Sequence, residues 1–351
     1  MDLPSTMKAA RFYEVGRPLE VEEVPVPEIR EDEVLVRVRA AGICGSDVHI
    51  VFEGITPTAF TPITLGHEPA GVVAAVGSRV EGWEPGERVS VTPFYFCGAC
   101  PNCLAGHAEV CRERKVVGIH ADGALAEYMA VPARNLIPLP DGVPFEVGAI
   151  VTDAVATPFH ALADRAALSP GETVAIFGAG GLGLHAVQLA RLCGARKIFV
   201  VDVREEQLER ARRAGADVTV NPGETSPVEE ILDETGGVGV DVAAEFIGLG
   251  ETIAQAVECV VSGGRVVVCG LGAEPIKILP PTVFVRKQIS FLGSYGFTKR
   301  NIGRLLELVS AGRLDLERSI THTFPLEEVN TALRYLHEKI EDPIRIAVTL
   351  P

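Results

Sequence analysis

From Lys8 to about Pro93, apolar and charged positions alternate with a period of two, most clearly in Val34–Val38 (VLVRV), Ala70–Val76 and Arg88–Val91. Pro25, Pro27, Gly42, Gly66, Gly77, Pro85 and Gly86 punctuate these runs. Successive side chains of a strand face opposite ways, so the pattern predicts short, half-buried strands joined by turns, in a small, partly closed β-barrel or sandwich. Residues 94–140 break the alternation with four cysteines, a glycine-rich stretch (Gly118–Gly123) and short apolar runs ending at Pro138 and Pro140.

From about Ala154 the period changes. Apolar runs at Thr173–Phe177, Lys197–Val201, Val218–Val220, Val240–Glu245, Arg265–Cys269 and Gln288–Leu292 read as strands. Between them, Leu182–Cys193, Arg204–Ala214, Val228–Glu234 and Thr252–Val260 carry helical spacing. Continuous apolar strands separated by amphipathic helices predict a parallel sheet covered on both faces, an α/β fold. Helices follow at Ile302–Ser310 and Leu326–His337, with Ile320–Pro325 between them. The extended tail Ile344–Leu350 fits either a seventh strand of this sheet or a return to the first domain.

The length of 351 residues suits two domains. A net charge of −15 with no standing Lys/Arg cluster argues against nucleic acid as a partner. No apolar run approaches the ~20 residues of a membrane span, and Met1–Ala10 lacks the layout of a secretion signal, so a cytoplasmic protein is expected. In that setting the eight cysteines read as metal ligands, nucleophiles or core residues rather than disulfides.

Three constellations carry chemistry. Cys97, Cys100, Cys103 and Cys111 place four soft ligands on one short lobe, which suits a tetrahedral zinc ion. With all four positions filled by protein, that site is structural. Gly178-Ala179-Gly180-Gly181-Leu182-Gly183 follows a predicted strand, opens a helix, and precedes an acidic residue, Asp202, at the end of the next strand. That is the context a dinucleotide-binding turn requires. Gly178 allows the tight turn, Gly180 the approach of a pyrophosphate, and Gly183 close helix–strand packing, while N–H groups at the helix start hold the phosphates. Asp202 would accept from an adenosine ribose and repel a 2′-phosphate, favouring NAD over NADP, although Arg204 stands nearby. The third is Gly42–His49 (GICGSDVH) with Gly66-His67-Glu68, where Cys44 and His67 offer two good ligands and need another.

Taken together, GICGSDVH at 42–49, GHEPAGVVAAVG at 66–77, the four-cysteine lobe, GAGGLG at 178–183 and TGGVGVDVAAEFIG at 235–248 resemble the zinc-dependent medium-chain alcohol dehydrogenases over essentially the whole chain. The resemblance implies a GroES-like, β-rich catalytic domain (1–153 and 294–351, zinc lobe at 94–112) into which a Rossmann domain with a doubly wound parallel sheet (154–293) is inserted. It implies two zinc ions per chain, one catalytic and one structural, with NAD as cofactor.

By the same resemblance Cys44 and His67 bind the catalytic zinc, and Asp153, four residues before Thr157, takes the third ligand position, where many relatives have Cys. A carboxylate there makes the ligand set harder. Glu68 is implied as a close carboxylate or exchanging fourth ligand, Ser46 and His49 as a proton relay, Thr157 as a packing partner of nicotinamide, and Arg345 as a pyrophosphate contact. Gly45 stands where many relatives carry a basic phosphate contact.

The implied activity is hydride transfer between a small primary or secondary alcohol and NAD, with the carbonyl compound as the other partner. Polyol (sorbitol-like) or threonine dehydrogenation is the alternative within the family, favoured by Gly293–Arg300 (GSYGFTKR) and disfavoured by Asp153, where polyol relatives often have Glu. A non-catalytic zinc- and dinucleotide-binding sensor is the reading from another class, and it has no use for a relay. A homodimer or homotetramer is expected, and Cys193, Cys259 and Cys269 remain for the core.

Overall fold

The computed structural model describes residues 3–351, so Met1 and Asp2 of the opening segment lie outside the described residues. The chain divides into two compact units, residues 3–153 with 298–351, and residues 154–297. The chain re-enters the first unit at Thr298, slightly beyond the expected 294, because Phe297 is buried in the second unit and Thr298 caps the helix Lys299–Ser310.

In the first unit, Thr6–Phe12 pairs antiparallel with Glu20–Pro25 and with Ile63–Thr64. A larger sheet runs Leu136–Pro138, Arg88–Val91, Glu68–Val76, Glu33–Ile43, Arg345–Thr349, Ile320–Pro325, and Tyr128–Pro132 also pairs with Glu33–Ile43. Val34, Val36 and Val38 are fully buried and Arg37 and Arg39 half-buried, but Leu35 on the second face is buried too, so the alternation holds only from Val36 to Ala40. The two placements open to the tail resolve here. Arg345–Thr349 lies antiparallel to Glu33–Ile43, with Ile346 opposite Ile43 and Thr349 opposite Ala40. The four-cysteine segment hangs on a short hairpin, Phe94–Tyr95 with Lys115–Val116.

The second unit is a six-stranded parallel sheet in the order Val218–Val220, Lys197–Val201, Thr173–Phe177, Val240–Glu245, Val260–Val268, Ser290–Gly293. The order reverses between the third and fourth of these, the point at which doubly wound sheets take a ligand. Thr173–Phe177 is buried throughout, as a central strand covered on both faces must be. A helix not foreseen, Pro281–Lys287, precedes the last strand. Gln288 closes it in a left-handed conformation (φ 52°), which moves the strand start from Gln288 to Ser290. The pattern does not show this helix because its packing on the core rests on the half-buried Phe284 and none of its residues is fully buried, so it carries no apolar stripe.

Candidate functional site

Glu33–Ile43 ends beside the first cluster. Cys44 caps the short helix Gly45–Val48, and the Asp47 carboxylate, at the third helical position, accepts from the Cys44 backbone N–H at 2.9 Å. That reciprocal cap fixes where the thiol points. His67 enters from the turn before Glu68–Val76, and Asp153 from a single π-helical turn, Val151–Val155, a local widening frequent at functional sites.

Donor atoms of Cys44, His67, Glu68 and Asp153 all lie within 4.8 Å of one another. Cys44 Sγ is 3.4 Å, and His67 Nε2 3.5 Å, from Asp153 Oδ2. Zinc bonds of about 2.0–2.3 Å in tetrahedral array put neighbouring donors about 3.4–3.8 Å apart, so these three fit the ion. Asp47, fully buried, sets Oδ1 3.5 Å from His67 Nδ1, the ring nitrogen turned away from the other ligands. Burial opposes a charged ring, but the Asp47 and Asp153 carboxylates raise His67 well above its ordinary value. The same negative field favours a divalent cation. Asp47 was not singled out in the sequence. Its signal was present in the Cys44–Asp47 spacing, which is that of a capping box.

Glu68 is fully buried and Arg345 nearly so, and the Arg345 guanidinium donates to both carboxylate oxygens. Burial raises the Glu68 carboxyl to about 7, and Arg345 is the largest opposing influence. Arg345, expected at a pyrophosphate, is thus held by Glu68. The sheet requires this: Gly42 pairs with Glu68 and Ile43 with Ile346, bringing both side chains to one end of neighbouring strands. Ser46 is half-buried with its hydroxyl 3.9 Å from Cys44 Sγ, and His49 is 40% exposed with Nε2 3.8 Å from Glu53.

In the lobe, sulfur–sulfur separations of 3.5 Å (Cys100–Cys103), 3.6 Å (Cys97–Cys111), 3.9 Å (Cys100–Cys111) and 4.0 Å (Cys97–Cys103) bracket the ~3.8 Å edge of a zinc–thiolate tetrahedron. Backbone N–H groups of Ala99 and Cys100 point at Cys97 Sγ, and that of Glu113 at Cys111 Sγ, stabilising thiolate charge. N–H groups of Arg112 and Cys103 bring Cys100 down to about 6.

In the second unit Gly178 takes φ +91°, and a Cβ on Gly183 would stand 1.8 Å from the Gly178 carbonyl oxygen. Gly180 faces open space and caps Gly181–Leu192, whose first N–H groups belong to Gly181 and Leu182. Strand, turn and helix together form a cradle that a side chain would fill. Asp202 accepts from Ala179 N–H at 2.7 Å and from Arg204 N–H at 2.9 Å, so the ribose-facing carboxylate expected from sequence also ties the turn to the next strand end. Thr157 is half-buried on Ala156–Phe159. All eight cysteines are free. Cys259 is fully buried, as expected of a core residue, whereas Cys193 and Cys269 are half-buried at the ends of a helix and a strand. No helix among the described residues is long and apolar enough to cross a membrane.

Residues 30–141 match the alcohol dehydrogenase GroES-like domain, and residues 181–311 match the zinc-binding dehydrogenase domain. The L-threonine 3-dehydrogenase of Symbiobacterium thermophilum is 34% identical over 95% of each chain. The NAD-dependent alcohol dehydrogenase of Sulfurisphaera tokodaii is 34% identical over 93% of this chain and 95% of its own. The solved alcohol dehydrogenase of Thermus sp. ATN1 superposes with a TM-score of 0.91 at 33% identity, covering 98% of this chain and 100% of that one. Likeness at this level over full length, in a chain that pairs a zinc-sized cluster of donor side chains with a glycine-rich strand–turn–helix, places the protein in the zinc-dependent medium-chain alcohol dehydrogenase family of oxidoreductases.

Proposed function

We infer that the protein transfers hydride between a primary or secondary alcohol and NAD, giving an aldehyde or ketone. The observation that carries this reading is the convergence of Cys44, His67 and Asp153 into a zinc-sized cluster. Zinc held there supplies Lewis-acid polarisation of the substrate oxygen, and NAD supplies the hydride acceptor. Three protein ligands with a further position for substrate is the catalytic pattern, in contrast to the closed four-cysteine set.

The chain's own residues do the rest. Asp47 orients His67 and holds Cys44 in place. The hydroxyl of Ser46 would accept the alcohol proton as it gives up its own towards the partly exposed His49, which passes a proton to water. Gly180, Gly181 and Leu182 receive the pyrophosphate, and Asp202 the adenosine ribose. Thr157 packs on the nicotinamide. Arg345 holds Glu68 beside the cluster as its fourth donor residue. The free thiols support a reducing, cytoplasmic setting. A homodimer or homotetramer is supported by the exposed Val283 and Val285 on the outer side of the helix Pro281–Lys287, whose Phe284 packs on the core, next to the edge strand Ser290–Gly293.

A panel of alcohols, polyols and threonine with NAD, read by absorbance of the reduced cofactor, tests the reaction. Turnover of threonine alone would favour the second reading, which rests on the full-length likeness to a threonine dehydrogenase. Asp202→Gly is expected to raise KM for NAD at least tenfold while leaving KM for NADP nearly unchanged; equal use of both cofactors by the parent protein would remove Asp202 from the ribose. His49→Gln is expected to slow turnover most at low pH, where direct proton loss to water is hardest. An unchanged pH profile would take His49 out of the relay.

A further inference from the structure

The glycine-rich stretch Gly118–Gly123 has no part in the sites described, yet it lies between them. The lobe hairpin, Phe94–Tyr95 with Lys115–Val116, runs on into Val117, whose N–H bonds the Pro93 carbonyl at 3.0 Å. Gly118 then closes a turn on Ala121 at 2.8 Å. The returning chain lies against the segment that ends in His67. Gly123 donates to Thr64, Ala124 to Gly66 and Leu125 to Leu65, at 2.8, 2.9 and 3.0 Å.

These backbones touch with no side chain between them. A Cβ on Gly118 would stand 2.9 Å from both N and O of Gly66. One on Gly123 would stand 2.4 Å from the carbonyl oxygens of Leu65 and Gly66. Gly66 itself takes φ +92° and Gly118 φ +75°, so both conformations favour glycine. Val116 and Val117 are buried, which anchors the hairpin end of this contact. A close-packed interior transmits displacement rather than absorbing it. A metal ligand tolerates only about 0.2 Å of error. A shift of the hairpin therefore reaches Gly66, the residue bonded to His67.

We propose that Gly118 and Gly123 are positioning residues for His67, and that filling the four-cysteine lobe thereby strengthens metal binding at Cys44, His67 and Asp153. The proposal rests on reading both clusters as metal sites. By linkage, metal at the Cys44 cluster strengthens binding in the lobe by the same factor.

The test is cobalt(II) titration of the full-length, metal-stripped protein against a competing chelator. Thiolate-to-metal absorbance distinguishes the one-thiolate site at Cys44 from the four-thiolate lobe, independently of activity. Gly118→Ala and Gly123→Ala are each expected to weaken the Cys44 site about tenfold, the low end of what displaced supports of metal ligands cost. Cys111→Ser, which disables the lobe, is expected to weaken the same site by a similar factor. Gly142→Ala serves as the control, since Gly142 is equally strained (φ +85°) but has nothing within 4 Å, and it should leave the affinity unchanged. Should the glycine variants fail to fold, Cys111→Ser decides alone. Two filled sites in the parent with an unshifted Cys44 site in Cys111→Ser would overturn the coupling and leave the metal reading standing. A parent that takes up one cobalt, unaltered by Cys44→Ala, would overturn the metal reading and the coupling with it.

Discussion

Arg345→Met is expected to destabilise the first unit by about 3–5 kcal/mol, the cost of leaving one member of a buried ion pair without its partner. Glu68 is 0% exposed, and its carboxylate lies in the space left by Gly42, where a Cβ would stand 2.0 Å from Oε2. The loss should appear as a lowered urea midpoint for the first unit. Adding Glu68→Gln to the same chain should recover most of it, since a neutral amide demands no counter-charge. An Arg345→Met protein within about 1 kcal/mol of the parent would mean that Glu68 takes up a proton once its partner is gone, so that no uncompensated charge is left.

Cys44→Ala is expected to reduce bound zinc from two ions per chain to one and to lower turnover by a factor of ~1,000 or more. Lewis-acid stabilisation supplies several kcal/mol of the barrier reduction, and each ~1.4 kcal/mol is tenfold in rate. Metal analysis and steady-state rates on the same preparation measure both. The variant retains Cys97, Cys100, Cys103 and Cys111, whose cluster is separate in sequence and in its donor set, so the remaining ion should stay bound there. Full metal content with Cys44 removed would show that the first cluster is not a zinc site.

What the sequence announced was local. The cysteine lobe spans 97–111 and the glycine turn 178–183, so a short spacing contains nearly all of the geometry, and the family likeness supplied the rest of the ligand set. What it concealed is non-local or depends on backbone contact. Glu68 and Arg345 stand 277 positions apart, and only strand pairing through Glu33–Ile43 brings them together. Asp47 was readable as a polar residue of a turn, but its second task, facing His67, exists only once two loops meet. Gly118 and Gly123 stand in the sequence only as part of a glycine-rich stretch, because a missing side chain does not say which backbone it admits. The helix Pro281–Lys287 leaves no periodic trace because its packing on the core rests on Phe284 and no stripe accompanies it.

The strand Arg345–Thr349 also sets an order of events during synthesis. Residues 154–297 contain every strand of their own sheet, so that unit can close before Arg345–Thr349 has been made. The first unit begins earlier in the chain yet finishes later, because Glu33–Ile43 must wait for its last neighbour. This inverts the usual sequence in which the N-terminal domain folds first. The lobe cysteines, close together in the chain, can capture metal on the nascent polypeptide. Glu68 obtains its guanidinium only once Arg345–Thr349 has been made and has paired with Glu33–Ile43, after every strand of the second unit is already in the chain.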